Sequence, residues 1–214
     1  MKKVLLATFA ITAFVATSAE AGVKVRPYVS AKAGYVWADA RAYVSDADTG
    51  EKISKLMGTN HTLMGAFAAG VKVCAFRTEL EYNHWGKTKS DRVLPAWNER
   101  AVSTLEQQSL MLNGYFDIPT KTALRPYVGA GIGMARIRGR VLYPETVGKH
   151  VHRDTSFAWQ AGAGFGYDLT KNLTLDVGYR YVNNGNVVIK SDFGFPIKYK
   201  ARDQEILVGL RYAF

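Results

Sequence analysis

The sequence predicts an all-β protein: a transmembrane antiparallel up-and-down eight-stranded β-barrel, formed after a signal peptide is cleaved. Three observations predict this fold. Apolar and polar residues alternate with a period of two in eight segments, short and long connections alternate between those segments, and aromatic residues cluster at segment ends. A strand with this pattern presents one face to lipid and the other to a polar interior.

The start of the chain has the charged, apolar and small-residue order of a secretory signal peptide. Two lysines open it, an apolar run broken by two threonines follows, and small residues fill the two positions that define a cleavage site, Ala19 and Ala21. The apolar run is about a dozen residues long, whereas a membrane-spanning helix needs about 20. An N-terminal membrane anchor is the alternative. We therefore expect a signal peptide at 1–21 and a barrel domain at 22–214.

Composition narrows the class of protein. The chain of 214 residues is 48% hydrophobic and 12% aromatic and has a net charge of +10. Loss of two lysines and one glutamate with the signal peptide leaves +9, and a basic protein suits contact with phosphate-rich or acidic surfaces. No segment after residue 21 approaches the roughly 18 apolar residues of a membrane helix.

The single cysteine, Cys74, cannot form an intramolecular disulfide, and we interpret it as a turn residue without a role. A free reactive thiol or an intermolecular cross-link is the alternative.

The first four segments show the alternation most directly. In each, residues of one parity are apolar or aromatic, and residues of the other parity are charged, hydroxylated, small or glycine. The clearest is the run 77–82, which reads Arg-Thr-Glu-Leu-Glu-Tyr. The predicted strands cover residues 28–37, 63–72, 76–83 and 109–116.

The last four segments follow the same rule, with glycine filling most of the polar face in the fifth and sixth. These predicted strands cover residues 127–134, 157–167, 173–181 and 205–214. A soluble β-sandwich would also alternate, but it would not require aromatic residues at the strand ends, where the interfacial belts of a membrane barrel place them. The aromatic residues concerned are Tyr35, Trp37, Tyr82, Trp85, Phe157, Trp159, Tyr179, Tyr181, Tyr212 and Phe214.

The connections between the predicted strands alternate in length. The short ones are 74–75, 117–126 and 168–172, and the long polar ones are 38–61, 84–106, 137–155 and 183–203. In membrane barrels the long loops face outward and the short turns face the periplasm, so both termini are expected in the periplasm. Since a sheet in lipid tolerates no unpaired edge, the first and last strands are expected to pair.

The polar face of the predicted strands carries nine charged residues that would point into the bore. An eight-stranded barrel has a bore that side chains can fill, so we expect a hydrogen-bonded charge network and no open pore. A narrow ion path is the alternative. The predicted interior network comprises Lys32, Lys72, Arg77, Glu79, Glu81, Asp176, Arg180, Glu205 and Arg211.

The long loops are richer in cations than in anions, apart from the first. Basic side chains near the outer rim are suited to phosphates of lipopolysaccharide or to a sulfated host glycan. The alternative is a solvated rim matched to the protein's own lipid. The candidate anion-binding residues are Arg136, Arg138, Arg140, Lys149, Arg153, Lys198 and Lys200.

No enzyme, cofactor or metal site is predicted. A serine hydrolase needs a serine, a histidine and an acid on one patch, and no spacing in the chain supplies them. The four histidines are His61, His84, His150 and His152, and no carboxylate or cysteine completes a metal site around them. A lipid-A-modifying barrel enzyme remains an alternative function.

Three stretches resemble the small outer-membrane β-barrel group, which includes opacity-type adhesins and OmpA-like transmembrane domains. They are the strand 77–82, the strand Pro-Tyr-Val-Gly-Ala-Gly-Ile-Gly at 126–133, and the terminal Tyr212-Ala213-Phe214. The resemblance implies outer-membrane location and an assembly signal at Tyr212 and Phe214 that the outer-membrane assembly machinery reads. It also implies envelope integrity, adhesion or immune resistance, with outer-membrane lipid, lipopolysaccharide and host glycan or matrix protein as partners, and no nucleic acid.

Overall fold

The protein is a closed barrel of eight antiparallel strands. The computed structural model describes residues 25–45, 52–53, 59–94, 99–143, 148–190 and 196–214. The predicted signal peptide therefore lies outside the described residues. The barrel strands are β1 Val25–Ser45, β2 Thr59–Val73, β3 Phe76–Leu94, β4 Glu99–Asp117, β5 Leu124–Tyr143, β6 Gly148–Asp168, β7 Leu173–Lys190 and β8 Pro196–Ala213.

Closure of the sheet depends on β1 and β8. Each other strand pairs with its neighbours in the chain, and β1 also pairs with β8 from Tyr28↔Ala213 to Val44↔Ile197. A short strand, Lys52–Ile53, adds to the far end of β1. The backbone of every barrel strand is thus hydrogen-bonded on both sides, as a sheet in lipid requires. The prediction of an antiparallel eight-stranded barrel is confirmed.

The strands are longer than the alternation predicted. β2 has 15 residues and β1 has 21, whereas a tilted strand needs about 9–11 residues to cross a membrane. Most of the four stretches predicted to be long loops is strand, and that prediction was wrong. Antiparallel pairing continues past the segments whose apolar parity predicts a lipid-facing side, so the strands end later than the pattern that marks a membrane strand.

The other end of the barrel has short connections. They are the two-residue turn Cys74–Ala75 and the stretches 118–123 and 169–172. Cys74 has φ of 53°, in the left-handed region that glycine normally occupies. The strands therefore project only at the long-connection end, hereafter the outer end; the opposite end is the short-turn end.

The wall and the bore have inverted polarity. On the wall, Leu63 and Phe67 are each 69% exposed, while Glu81 and Glu205 inside the bore are 0% exposed. Large apolar side chains on the outside and buried charge on the inside are the pattern of a barrel that crosses a membrane. Within the described ranges, no helix has the length and hydropathy needed to cross a bilayer.

Aromatic side chains form contacts at both ends of the apolar wall. At the outer end Tyr35 packs on Trp37, with ring centroids 4.8 Å apart. At the short-turn end Phe76 packs on Phe116 at 5.1 Å. The prediction for Trp85 was wrong: its parity places it in the bore, where it is 3% exposed. An indole can be buried there because its N–H finds an acceptor.

Candidate functional site

The bore is filled at its middle by an ion-pair cluster, hereafter the central cluster. Lys32 Nζ lies 2.6 Å from Glu79 Oε1 and 2.5 Å from Glu81 Oε2. Arg180 Nη1 lies 2.5 Å from the other oxygen of Glu81, and its Nε pairs with Glu205. Two cations, from β1 and β7, thus bridge three carboxylates from β3 and β8, so that four strands are tied together across the bore.

Neutral side chains complete the hydrogen bonding of these carboxylates. Tyr28 and Tyr115 donate their hydroxyls to Glu79 over 2.9 and 3.0 Å. Trp85 donates its indole N–H to Glu205 over 3.0 Å. A buried charge is tolerated when its remaining lone pairs are satisfied in this way. The central cluster is therefore a structural plug with its groups committed to one another.

A second cluster lies toward the short-turn end. Asp117 accepts from Lys72 over 2.5 Å and from Arg77 over 2.8 Å. The Arg77 guanidinium also lies over the rings of Tyr115 and Tyr127, at 4.6 and 4.9 Å from their centroids. Stacking and ion pairing together hold this arginine flat across the bore.

Two further ion pairs lie near the short-turn mouth. Arg211 Nε is 3.3 Å from Asp176, and Arg125 Nε is 2.6 Å from Asp168. Thr174 donates a hydrogen bond of 2.9 Å to Asp168. All nine residues proposed for the interior network thus point into the bore, and each has an opposite charge as partner.

Close approach of backbone and side chain narrows the bore between β5, β6 and β7. A Cβ added at Gly164 or Gly178 would lie 2.7 Å from the Tyr127 hydroxyl. Glycine is required at Gly164, where a Cβ would also lie 2.4 Å from the Val177 carbonyl oxygen, whereas at Gly178 a Cβ would displace the end of the Tyr127 side chain. The space left between Lys32 and Tyr127 has a volume of about 40 Å³, enough for one or two water molecules.

The outer part of the bore is plugged by smaller contacts. Asp203 accepts hydrogen bonds from Gln107 over 3.3 Å and from Asn184 over 2.5 Å. An apolar group packs below it: Val36, Met64, Ala66, Trp85 and Leu207. Polar and apolar packing together therefore close the bore on the outer side of the central cluster.

The predicted anion-binding residues lie on strands, not in loops. Arg136 is exposed on the outward face of β5, and Arg138 Nη1 lies 3.7 Å from Glu106, which also pairs with Lys87 at 3.2 Å. Backbone register places Arg138 opposite Arg153 and Arg41 opposite Lys200. Like charges placed directly opposite each other are unfavourable unless an anion or solvent intervenes. The side chains of Arg140, Lys149, Arg153, Lys198 and Lys200 lie outside the described residues.

The histidines do not gather at one place in the described structure. His61 stacks on Tyr35 at 5.7 Å, and His84 contacts the Gln108 amide at 3.4 Å. The side chains of His150 and His152 lie outside the described residues. Among the described residues, no three His, Cys, Asp or Glu side chains come together as metal ligands would.

The chain ends against the first strand. Phe214 donates its backbone N–H to the Pro27 carbonyl over 3.0 Å, and its ring packs edge-on against Tyr212 at 5.3 Å. The Phe214 side chain is 66% exposed. The terminal residues proposed as an assembly signal are thus presented on the wall, at the seam between β1 and β8.

Sequence reasoning missed several members of the described interior, including three aspartates and one tryptophan. Asp117 and Asp168 were assigned to turns, Asp203 to a loop and Trp85 to the interfacial belt. Asp117 and Trp85 have the same odd parity as the inward residues of their strands, and Asp203 has the parity of Glu205. These residues are identified when the parity of each strand is continued past its predicted end.

A closed eight-stranded barrel with an apolar wall and a charge-filled bore defines a small integral barrel of the bacterial outer membrane. The family model described as the outer membrane protein beta-barrel domain matches residues 6–214. The chain belongs to this family and is a protein of the outer membrane, in contact with its lipid.

Individual proteins show the same relationship. The outer membrane protein PagN of Salmonella typhimurium is 27% identical over 226 residues, which cover 94% of this chain and 95% of PagN. Opacity protein V28 of Neisseria gonorrhoeae is 24% identical over 152 residues, covering 60% of this chain and 61% of that protein. The crystal structure of Neisserial surface protein A shares the fold, with a TM-score of 0.60 and 21% identity over 88% of this chain and 97% of that one.

Proposed function

We propose that this protein is a non-enzymatic surface protein that supports the envelope and binds anionic glycans or matrix proteins through its four outer hairpins. The observation that carries the proposal is the difference between the two halves of the molecule. The middle of the bore is occupied by the ion pairs of the central cluster, which are already satisfied, while the strands project beyond the membrane at one end only. A rigid scaffold that presents variable segments on one side is suited to recognition.

Support for an anionic ligand comes from the register of the outer hairpins. Cations are placed opposite cations at Arg138↔Arg153 and Arg41↔Lys200. A sulfated or phosphorylated ligand that lies across such a pair relieves the repulsion and gains charge-assisted hydrogen bonds. Lipopolysaccharide phosphates and host sulfated glycans share this chemistry.

The orientation follows from the same asymmetry. We place the outer hairpins outside the cell and both termini in the periplasm, and we place a signal peptide at 1–21 ahead of the barrel domain at 22–214.

The contacts of His61 and His84 do not resemble those of a hydrolytic site. His61 stacks on a tyrosine ring and His84 contacts a glutamine amide. The outer-membrane assembly machinery is the partner proposed for Tyr212 and Phe214.

Binding of fluorescent heparin to intact cells that display the barrel tests this proposal. We expect saturable binding that weakens steadily with added salt, because the contacts are between exposed charges. A variant with Arg136, Arg138 and Arg140 replaced by serine is expected to lose most of the binding. The matched control replaces three cations of the short-turn end by serine: Arg26, Lys121 and Lys171.

Equal binding to cells that display an unrelated eight-stranded barrel would refute the adhesive function and leave envelope support. The control variant has lost the same charge as the test variant, so equal loss in both would show a net-charge effect and not a site. Conductance steps from the purified barrel in a planar bilayer would support the narrow ion path instead. The filled bore predicts that no such steps occur.

A further inference from the structure

The short-turn mouth of the barrel opens into a cavity of about 640 Å³, hereafter the basal vestibule. Among the described residues, five cations and one carboxylate line it. The cations are Arg26, Lys72, Arg125, Lys171 and Arg211, and the carboxylate is Asp168. This cavity is distinct from the outer hairpins that carry the proposed function, because it lies at the opposite end of the strands.

Charge is distributed unevenly along the bore. The central cluster has two cations for three carboxylates. Around the basal vestibule, six cations face three carboxylates: Arg26, Lys72, Arg77, Arg125, Lys171 and Arg211 against Asp117, Asp168 and Asp176. A cleft of one charge sign with low-dielectric walls focuses the field, so the vestibule attracts anions.

Two of these cations have hydrogen-bonding capacity to spare. Arg211 Nη1 and Arg77 Nη2 are buried and have no hydrogen-bond partner among the described residues. Arg211 lines the vestibule, is 6% exposed and is already held in place by Asp176 and by the ring of Tyr28. A buried guanidinium N–H without an acceptor is costly, so the Arg211 side chain gains if it turns this group toward a ligand oxygen in the vestibule.

Two exposed basic residues, Arg26 and Lys171, lie at the rim of the vestibule near the buried Arg211 guanidinium. Arg26 donates to the backbone carbonyl of Lys171 over 3.0 Å, so the two basic residues lie side by side at the mouth. Neither has a carboxylate partner within the described part of the chain. Two exposed cations above one buried guanidinium provide donors for several oxygens at once, which matches a phosphate better than a carboxylate.

We propose that the basal vestibule binds phosphate groups, which Arg26, Lys171 and Arg211 hold. The phosphate is either a free phosphate or the headgroup of an anionic phospholipid. With the orientation proposed above, the mouth lies at the level of the inner-leaflet headgroups. The binding itself does not depend on that orientation.

Calorimetric titration of the refolded barrel in an uncharged detergent, without phosphate buffer, tests the site. The probes are inorganic phosphate and dihexanoyl phosphatidylglycerol, with dihexanoyl phosphatidylcholine as the zwitterionic control. We expect saturable, salt-sensitive binding. Arg26→Ser and Lys171→Ser should each weaken it by about two- to five-fold, as exposed charges do. Arg211→Lys keeps the pair with Asp176 but removes the spare donor and should weaken binding by roughly tenfold.

Tighter binding of the short-chain phosphatidylglycerol than of phosphate identifies a lipid headgroup site, and the reverse order identifies a site for free phosphate. Lys87→Ser, whose side chain is 61% exposed on β3 toward the outer end, carries the same charge loss as Arg26→Ser or Lys171→Ser and should bind like the parent. No binding above that of an unrelated barrel would overturn the proposal. Equal weakening by the outer-end variant would also overturn it. Since the Arg26 and Lys171 side chains are exposed, those variants keep the interior intact, and migration of the folded form on unheated gels verifies this.

Discussion

At the scale of single residues, Arg180 has the most partners in the central cluster. Its guanidinium contacts Glu81, Glu205 and the Asn83 side-chain oxygen, the last over 2.8 Å. Each of these partners is 0% exposed. Because the three acceptors come from two different strands, one side chain satisfies polar groups that would otherwise be buried without a partner.

Replacement of Arg180 by methionine should lower the free energy of unfolding by about 3–5 kcal/mol, since it leaves two buried carboxylates with one cation fewer. Urea unfolding of the barrel in detergent micelles, followed by tryptophan fluorescence, measures the change. Arg136→Ser is the control, because that exposed arginine lies outside the bore and should alter stability by no more than about 0.5 kcal/mol. A loss for Arg180→Met as small as the control's would mean that water replaces the guanidinium at little cost.

Among the strands, β4 and β5 show how the two faces of one sheet differ. Gly133 faces the bore, and a Cβ there would lie 2.1 Å from the Leu110 carbonyl oxygen. Gly114 faces the lipid, and a Cβ there would meet nothing within 4 Å. The same residue type is thus required by packing at one position and not at the other.

Gly133→Ala is expected to lower stability by about 1–3 kcal/mol, as overpacking against backbone does. Gly114→Ala is its matched partner on the opposite face and should be neutral or slightly stabilising, because it reduces the freedom of the unfolded chain. The temperature at which each variant loses its folded gel mobility separates the two. Equal effects would contradict the assignment of faces.

How much of this architecture could be predicted depends on the distance between the groups that interact. Parity along a strand places Glu81 and Arg180 in the bore, because side-chain direction is a local property. The contact between them is not local: 99 residues separate them, and which residues meet across the bore depends on strand tilt and stagger. Asp203 was missed for another reason: it follows the stretch 197–202, in which the odd residues are apolar and the even residues are charged, the reverse of the parity in the rest of the strand.

At the scale of the whole molecule, the difference between the outer end and the short-turn end determines how the barrel is oriented in the membrane. Cys74 is exposed in the shortest turn, at the short-turn end. It therefore serves as a reporter that the chain already contains.

A membrane-impermeant maleimide should leave Cys74 unmodified in intact cells and modify it after lysis, because the proposed orientation puts this turn in the periplasm. The counterpart is Ser191→Cys in a Cys74→Ser background, which should react in intact cells. In the sequence Ser191 directly follows Lys190, the last residue of β7. Labelling of Cys74 on intact cells would reverse the proposed orientation.

The seam between β1 and β8 also governs the timing of folding. These strands are the first and last of the barrel, and they share a continuous ladder. The segment that forms β8 must therefore be synthesised before the ladder can begin to form, and until then the first strand has an unpaired edge. Contacts so distant in sequence form slowly, because the entropy of closing the intervening chain is lost before any pairing compensates for it. Synthesis of β8, transit and closure are thus successive events for this protein, and its most aggregation-prone period is the interval before the 18 residues of β8 pair with β1.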